Sequence, residues 1–156
     1  TLPKKVLFVS SIGGHLTQLV QLKSLFVDYN YLLITEKSNV TENLKSKYNV
    51  KYYIYCNKKN FIKYFFINVL NAFHSVYTFF VFRPNVIVTT GANTAVPLCY
   101  LGWFFRKKVI FIESYAKRNG KTLAGKLCYP IATTFIVQWE SMLNFYPKAK
   151  YFGGIY

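Results

Sequence analysis

Acidic residues are nearly missing from this sequence. Five carboxylates, Asp28, Glu36, Glu42, Glu113 and Glu140, stand against 20 lysines and arginines in 156 residues, a net charge of +15. Any chemistry that needs a carboxylate must draw on those five. The two histidines and three cysteines, Cys56, Cys99 and Cys128, are too few and too far apart for a metal cluster or a disulfide framework. The cysteines read as small buried hydrophobes in a reducing compartment. No Ser-His-Asp arrangement can be argued, and no Lys-Ser/Thr pair follows the first glycines as in a P-loop. The N-terminus runs directly into a strand pattern, so no secretory leader is expected.

What the sequence does have is cationic, apolar and aromatic. Hydrophobic residues make up 53% and aromatics 20%. The charge alone admits three polyanionic partners: nucleic acid, an anionic membrane surface or a phosphorylated ligand. The cations sit in small groups beside aromatic stretches, which suits the cytoplasmic face of a membrane better than a nucleic-acid groove.

Strands and helices alternate strictly. Strands are expected at 6–11, 31–36, 51–56, 86–90, 108–113 and 134–138, with helices at 15–27, 41–48, 60–82, 93–105, 122–131 and 140–146. The strands are continuous Val, Ile, Phe and Tyr runs, as in a parallel sheet covered on both faces. The pattern predicts one α/β domain over residues 1–156, a doubly wound, Rossmann-like parallel sheet.

Ligands of such sheets bind beyond the carboxyl ends of the strands. The stretches there are Ser10 to His15, Thr35-Glu36-Lys37, Thr89 to Asn93, and Glu113-Ser114-Tyr115. Gly13-Gly14-His15 allows either a close backbone approach to an anion or only a tight turn. Glu113, at the end of an apolar run, is a candidate general base or else a charge partner for Lys117 or Arg118. Asn93 is a plausible helix cap.

The segment 61–82 is almost entirely apolar apart from a narrow stripe of Asn68, Asn71, Ser75 and Thr78. As a helix it reaches about 33 Å, long enough to span a bilayer. A crossover helix must nevertheless return to its sheet, so one face on the sheet and another in the membrane interface is expected, with Phe61, Lys63, Phe65 and Phe66 at the lipid. Trp103, Phe104 and Arg106 repeat the aromatic-cation theme one helix later.

The loop Gly13-Gly14-His15, with the stretches 83–97, 109–139 and 146–156, resembles one family. It comprises the membrane-anchoring, acceptor-side subunits of two-component glycosyltransferases. Eukaryotic members help add the second N-acetylglucosamine to dolichol-linked oligosaccharide, and bacterial members serve capsule and exopolysaccharide synthesis. The family is similar to the N-terminal half of the GT-B transferase that makes lipid II.

The resemblance implies an acceptor-binding half that recruits a donor-binding subunit. The UDP-sugar would sit on that partner, so no cofactor is expected on this chain. The acceptor would be an undecaprenyl-diphosphate-linked sugar at the cytoplasmic face of the plasma membrane, met peripherally through the 61–82 and 93–105 segments. Eukaryotic members carry an N-terminal membrane anchor that this sequence does not show, which fits the bacterial branch. The implied acceptor and phosphate contacts are Ser11, Gly13, Gly14, His15, Thr90, Gly91, Asn93, Ser114, Lys117 and Arg118. Glu113 is the implied base of an inverting hexosyl transfer, active only with the partner. The implied partner contacts are Tyr151, Phe152, Gly153, Ile155 and Tyr156. The rival readings are a recruiter without chemistry of its own and, further off, a nucleic-acid binder.

Overall fold

The computed structural model describes residues 2–55 and 57–155. Cys56 and the expected partner contact Tyr156 lie outside the described residues.

In chain order the strands are β1 (Lys5–Val9), β2 (Asn30–Glu36), β3 (Val50–Tyr53), β4 (Val86–Thr89), β5 (Lys108–Ile112), β6 (Thr134–Val137) and β7 (Lys150–Tyr151). All pair in parallel in the order β3-β2-β1-β4-β5-β6-β7, a doubly wound, Rossmann-like α/β sheet. The α-helices are α1 (Gly14–Val20), α2 (Phe61–Phe82), α3 (Val96–Phe104) and α4 (Leu123–Cys128).

The strand alternation sorts the apolar runs onto two cores. Leu7 and Val9 of β1 join Phe79 of α2, Leu98 and Cys99 of α3, and Cys128 of α4 on one face. Val6 and Phe8 join Leu19 of α1 and Phe26 on the other. Cys99 and Cys128 are both free and fully buried. The neighbouring Cys128 thiol, then burial, hold the Cys99 thiol well above its usual range.

Several expected helices are shorter or wound more tightly. The 15–27 helix is α1 followed by a 3-10 segment, Gln21–Val27. This winding accompanies the docking of Phe26, whose ring stacks on Tyr31 at 4.3 Å and meets Phe8 edge-on at 4.8 Å. The expected helices at 41–48 and 140–146 are 3-10 turns, Glu42–Ser46 and Glu140–Asn144. α3 begins late, with Pro97 in its first turn. β7 was not expected at all. Two exposed residues, Lys150 and Tyr151, carry no hydrophobic signal, and only their pairing with Ile136 and Val137 makes them a strand.

α2 presents the opposite of an ordinary amphipathic helix. Its polar stripe faces inward: Asn71, Ser75 and Thr78 are buried, while Phe61, Phe65, Phe66, Phe73, Tyr77 and Phe80 are exposed. Asn71 explains the orientation, because its side chain accepts from the Ile54 N–H at 3.0 Å and donates to the Ile54 carbonyl at 2.8 Å. The amide satisfies both backbone groups of a residue just past β3, at the edge of the sheet. Thr78 accepts from Lys51 Nζ at 2.7 Å, fixing the helix a second time to β3. Burial lowers the Lys51 pKa. The helix is long and apolar enough to cross a membrane by length and composition.

Candidate functional site

A cavity of about 530 Å³ opens where the sequence places the strand ends. Ser11 and Ile12 come from the β1–α1 loop, His15 from the first turn of α1, Glu36 from the end of β2, and Ala92, Asn93 and Thr94 from the segment after β4. The opposite wall is α2, through Tyr64, Ile67, Asn68 and Asn71, and the start of α4 closes one side through Thr122, Leu123 and Ala124. The inward stripe of α2 therefore serves two ends: Asn71 both holds β3 and lines the cavity.

Gly13 turns the chain out of β1 with φ 86° and ψ −145°, a conformation that only glycine adopts without strain. Gly14 has no such need, and a Cβ built on it meets nothing within 4 Å. The space in front of the loop is open. Thr90 and Gly91 back the loop, where Gly91 at φ 107° lets its backbone pass beside the His15 ring.

His15 is fixed by that contact. Its Nδ1 lies 3.0 Å from the Thr90 carbonyl, and the Thr90 hydroxyl donates to the His15 carbonyl at 2.6 Å. A carbonyl only accepts, so Nδ1 carries a proton in that bond, and the ring nitrogen left to accept is Nε2.

Glu36 anchors the floor. Its Oε1 accepts from Thr94 Oγ1 at 2.7 Å and from Ser11 Oγ at 3.4 Å, while Oε2 accepts from the Ile12 N–H at 3.2 Å. One carboxylate thus ties together the loops after β1, β2 and β4. Asn93 caps no helix: its Nδ2 donates across the cavity to the Tyr64 hydroxyl of α2 at 2.9 Å.

Glu113, the expected base, is elsewhere. It is 1% exposed and does not line the cavity. Its carboxylate accepts from the Ser114 N–H at 2.9 Å, from Thr122 Oγ1 at 2.9 and 3.0 Å, and from the Tyr146 hydroxyl at 2.7 Å. Burial and then the Glu113 hydrogen bond push the Tyr146 pKa far up, so the phenol stays a proton donor. The structure gives Glu113 the work of fixing α4, since Thr122 is the N-cap of that helix. The site's carboxylate is Glu36, which shares the strand-end position and differs only in reaching open space.

Ser114 is buried beside Glu113, and Lys117 and Arg118 lie exposed outside the cavity. The Arg118 guanidinium sits 4.1 Å over the Trp139 ring. Of the expected partner contacts, Tyr151 and Phe152 are exposed, Phe152 at 74%, and Gly153 turns at φ 89°. Ile155 instead packs on the second core, and its N–H donates to Gln138 Oε1 at 3.2 Å. The positions expected to meet lipid, Phe61, Lys63, Phe65, Phe66, Trp103, Phe104 and Arg106, are all exposed.

Sequence reasoning did not select Tyr64, Asn68, Asn71 and Thr94 for the site. The stripe on α2 was the available signal, but periodicity does not say which way a stripe faces. Among the described residues no group of three metal-binding side chains comes together.

Known proteins share this architecture. MurG of Acinetobacter baumannii superposes with a TM-score of 0.72 at 13% identity, over 89% of this chain and 43% of its own. UDP-N-acetylglucosamine 2-epimerase of Rickettsia bellii gives 0.73 at 10% identity, over 98% and 45%. At such identities the likeness is one of fold. Sequence relatives are closer. The UDP-N-acetylglucosamine transferase subunit ALG14 of Candida albicans is 40% identical over 77 residues, which is 46% of this chain and 35% of that protein. The human protein of the same name is 27% identical over 177 aligned positions, covering 96% of this chain and 82% of its own. This chain thus spans about a third of the fungal relative's length. The family model described as "Oligosaccharide biosynthesis protein Alg14 like" matches residues 7–155, nearly the whole chain. The chain belongs to the Alg14-like family.

Proposed function

We propose that this chain is the acceptor-binding, membrane-associating half of a two-polypeptide, GT-B-type glycosyltransferase. The observation that carries the reading is the shared wall. One helix, α2, lines a polar cavity on its inner side and shows a mostly apolar, aromatic-rich face outside, interrupted by Lys63 and His74. A substrate with a polyprenyl tail and a sugar head needs both sides at once. The relatives' name supplies the donor to try first, UDP-N-acetylglucosamine.

In this reading the acceptor sugar enters the cavity among His15, Glu36, Asn93 and Asn68. The loop of Ser11, Gly13 and Gly14, backed by Thr90 and Gly91, gives it close backbone approach. His15 Nε2 takes the proton of the acceptor hydroxyl as that oxygen attacks the anomeric carbon. The bond from that carbon to the nucleoside diphosphate breaks, and the diphosphate leaves with its electron pair on the partner subunit. The fixed Nδ1–H suits the ring to this role, because it leaves the lone pair on Nε2 of a residue that lines the cavity. Lys117, Arg118, Tyr151 and Phe152 belong to the partner surface.

The test is co-expression with a candidate donor-domain glycosyltransferase protein from the same organism, followed by transfer from labelled UDP-N-acetylglucosamine to lipid acceptor. The pair should be active and each chain alone inactive. Undecaprenyl and dolichol acceptors offered side by side decide the carrier, and with it the capsule or exopolysaccharide setting. Full activity of this chain alone, or none from the assembled pair on either acceptor, would overturn the reading.

A further inference from the structure

A second cavity, of about 430 Å³, lies at the beginning of α2 and is lined by Tyr55, Asn57, Lys59, Asn60 and Lys63. It adjoins the first, since Tyr55 and Asn57 line both, and Lys58 lines the first from the same segment. Three lysines thus line the two adjoining cavities, Lys58 the first and Lys59 and Lys63 the second. No acidic residue lines the second cavity, and the five carboxylates of the chain all lie in other segments. In the same first turns of α2, the rings of Phe61, Phe65 and Phe66 are exposed.

The glycine loop offers much less to a polyanion. Residues 6–22 contain no lysine or arginine, and α1 behind the loop is only seven residues long. A diphosphate diester carries two negative charges, and each cation met at short range lowers the cost of taking it out of water. Counter-charge is at the α2 entrance, not at the glycines.

We infer that the cavity of Lys59 and Lys63, with Lys58 at its inner edge, binds the diphosphate of a polyprenyl-diphosphate ligand. This rests on the functional reading above and moves the diphosphate away from the loop where the sequence suggested it. The order of surfaces then follows the order of the ligand. The apolar tail lies along Phe61, Phe65 and Phe66, the diphosphate lies between the lysines, and the sugar reaches inward toward His15 and Glu36. Asn60 takes no part through the helix end, because its side chain is spent accepting from the Lys63 N–H at 3.1 Å.

Calorimetric titration of the full chain with farnesyl diphosphate, inorganic diphosphate and phosphatidylglycerol vesicles tests this. Lys59→Gln/Lys63→Gln should weaken farnesyl diphosphate about tenfold or more without lowering the melting temperature, since both side chains are exposed. Lys59→Arg/Lys63→Arg should restore most of the affinity, and His15→Ala should change it less than about twofold. Unchanged farnesyl diphosphate binding in the Gln variant overturns the proposal. So does loss of vesicle binding alone, which would assign the lysines to lipid headgroups. Farnesyl diphosphate binding no tighter than inorganic diphosphate removes the lipid as the source. A pair that transfers no sugar while this chain still binds farnesyl diphosphate through the lysines would fell the functional reading and leave the site standing.

Discussion

Replacing Glu113 by glutamine separates a structural carboxylate from a catalytic one. The amide keeps the shape but brings two donors into a pocket where Ser114, Thr122 and Tyr146 already donate. Leaving buried donors without acceptors costs about 1–3 kcal/mol, or roughly 2–12 °C in melting temperature for a domain of this size. Activity per folded molecule in the assembled complex should stay within about threefold, whereas loss of a base costs about a hundredfold or more. Tyr146 adds a pH signature. Burial and the Glu113 hydrogen bond hold its folded pKa above the ordinary phenol value of about 10, so the stability it contributes is complete below pH 10 and is lost as pH rises further. Alkaline melting curves should show that decline, and Tyr146→Phe should flatten it. At the cavity, His15→Ala should lower kcat while the melting temperature holds. Gly14→Val should instead raise the acceptor KM several-fold with little loss of stability, because its Cβ meets no protein atom. Steady-state kinetics with melting curves on both variants distinguish a substrate-facing loop from a mere turn.

At the scale of elements, α2 and β7 carry the consequences. Phe65 and Phe66 are 57% and 62% exposed, so serine at both should leave the fold intact. Each ring gives up about 1 kcal/mol of apolar burial in lipid, and flotation with anionic vesicles should fall about thirtyfold. An unchanged flotation profile would place the contact elsewhere. The end of the chain needs finer surgery than truncation. Tyr151 pairs with Val137 and Ile155 packs inside, so removing residues 151–156 takes away part of the sheet and core along with any partner contact. Phe152→Asp touches only an exposed ring and should abolish co-purification with the partner while leaving the melting temperature unchanged. Elements also show what was legible in advance. The β-branched runs of β1, β4 and β5 announced themselves, because a strand buried on both faces has no polar residue to confuse it. Helix lengths were overdrawn where 3-10 winding replaced α, and β7 was invisible because pairing alone makes it a strand. Glu36 and Glu113 looked alike at strand ends. Their difference was set by Tyr146, 33 residues beyond Glu113, and no local pattern reports a contact at that range.

Over the whole molecule, the cations and apolar faces fall into an arrangement that composition hinted at but could not orient. The net charge of +15 said that a polyanion was near. Only the inward turn of Asn71, Ser75 and Thr78 shows that the apolar side of α2 looks outward, while Asn68 and Asn71 carry its polar side to the cavity wall. If that outer face rests in lipid, the cavity opens toward the bilayer, and its substrate arrives by lateral diffusion without crossing water. Encounter then becomes a search in two dimensions. The concentration that governs turnover is the number of acceptor molecules per unit of membrane area. Adding inert phospholipid at fixed acceptor and fixed volume would slow the reaction by thinning the acceptor on that surface, although the acceptor's bulk concentration had not changed.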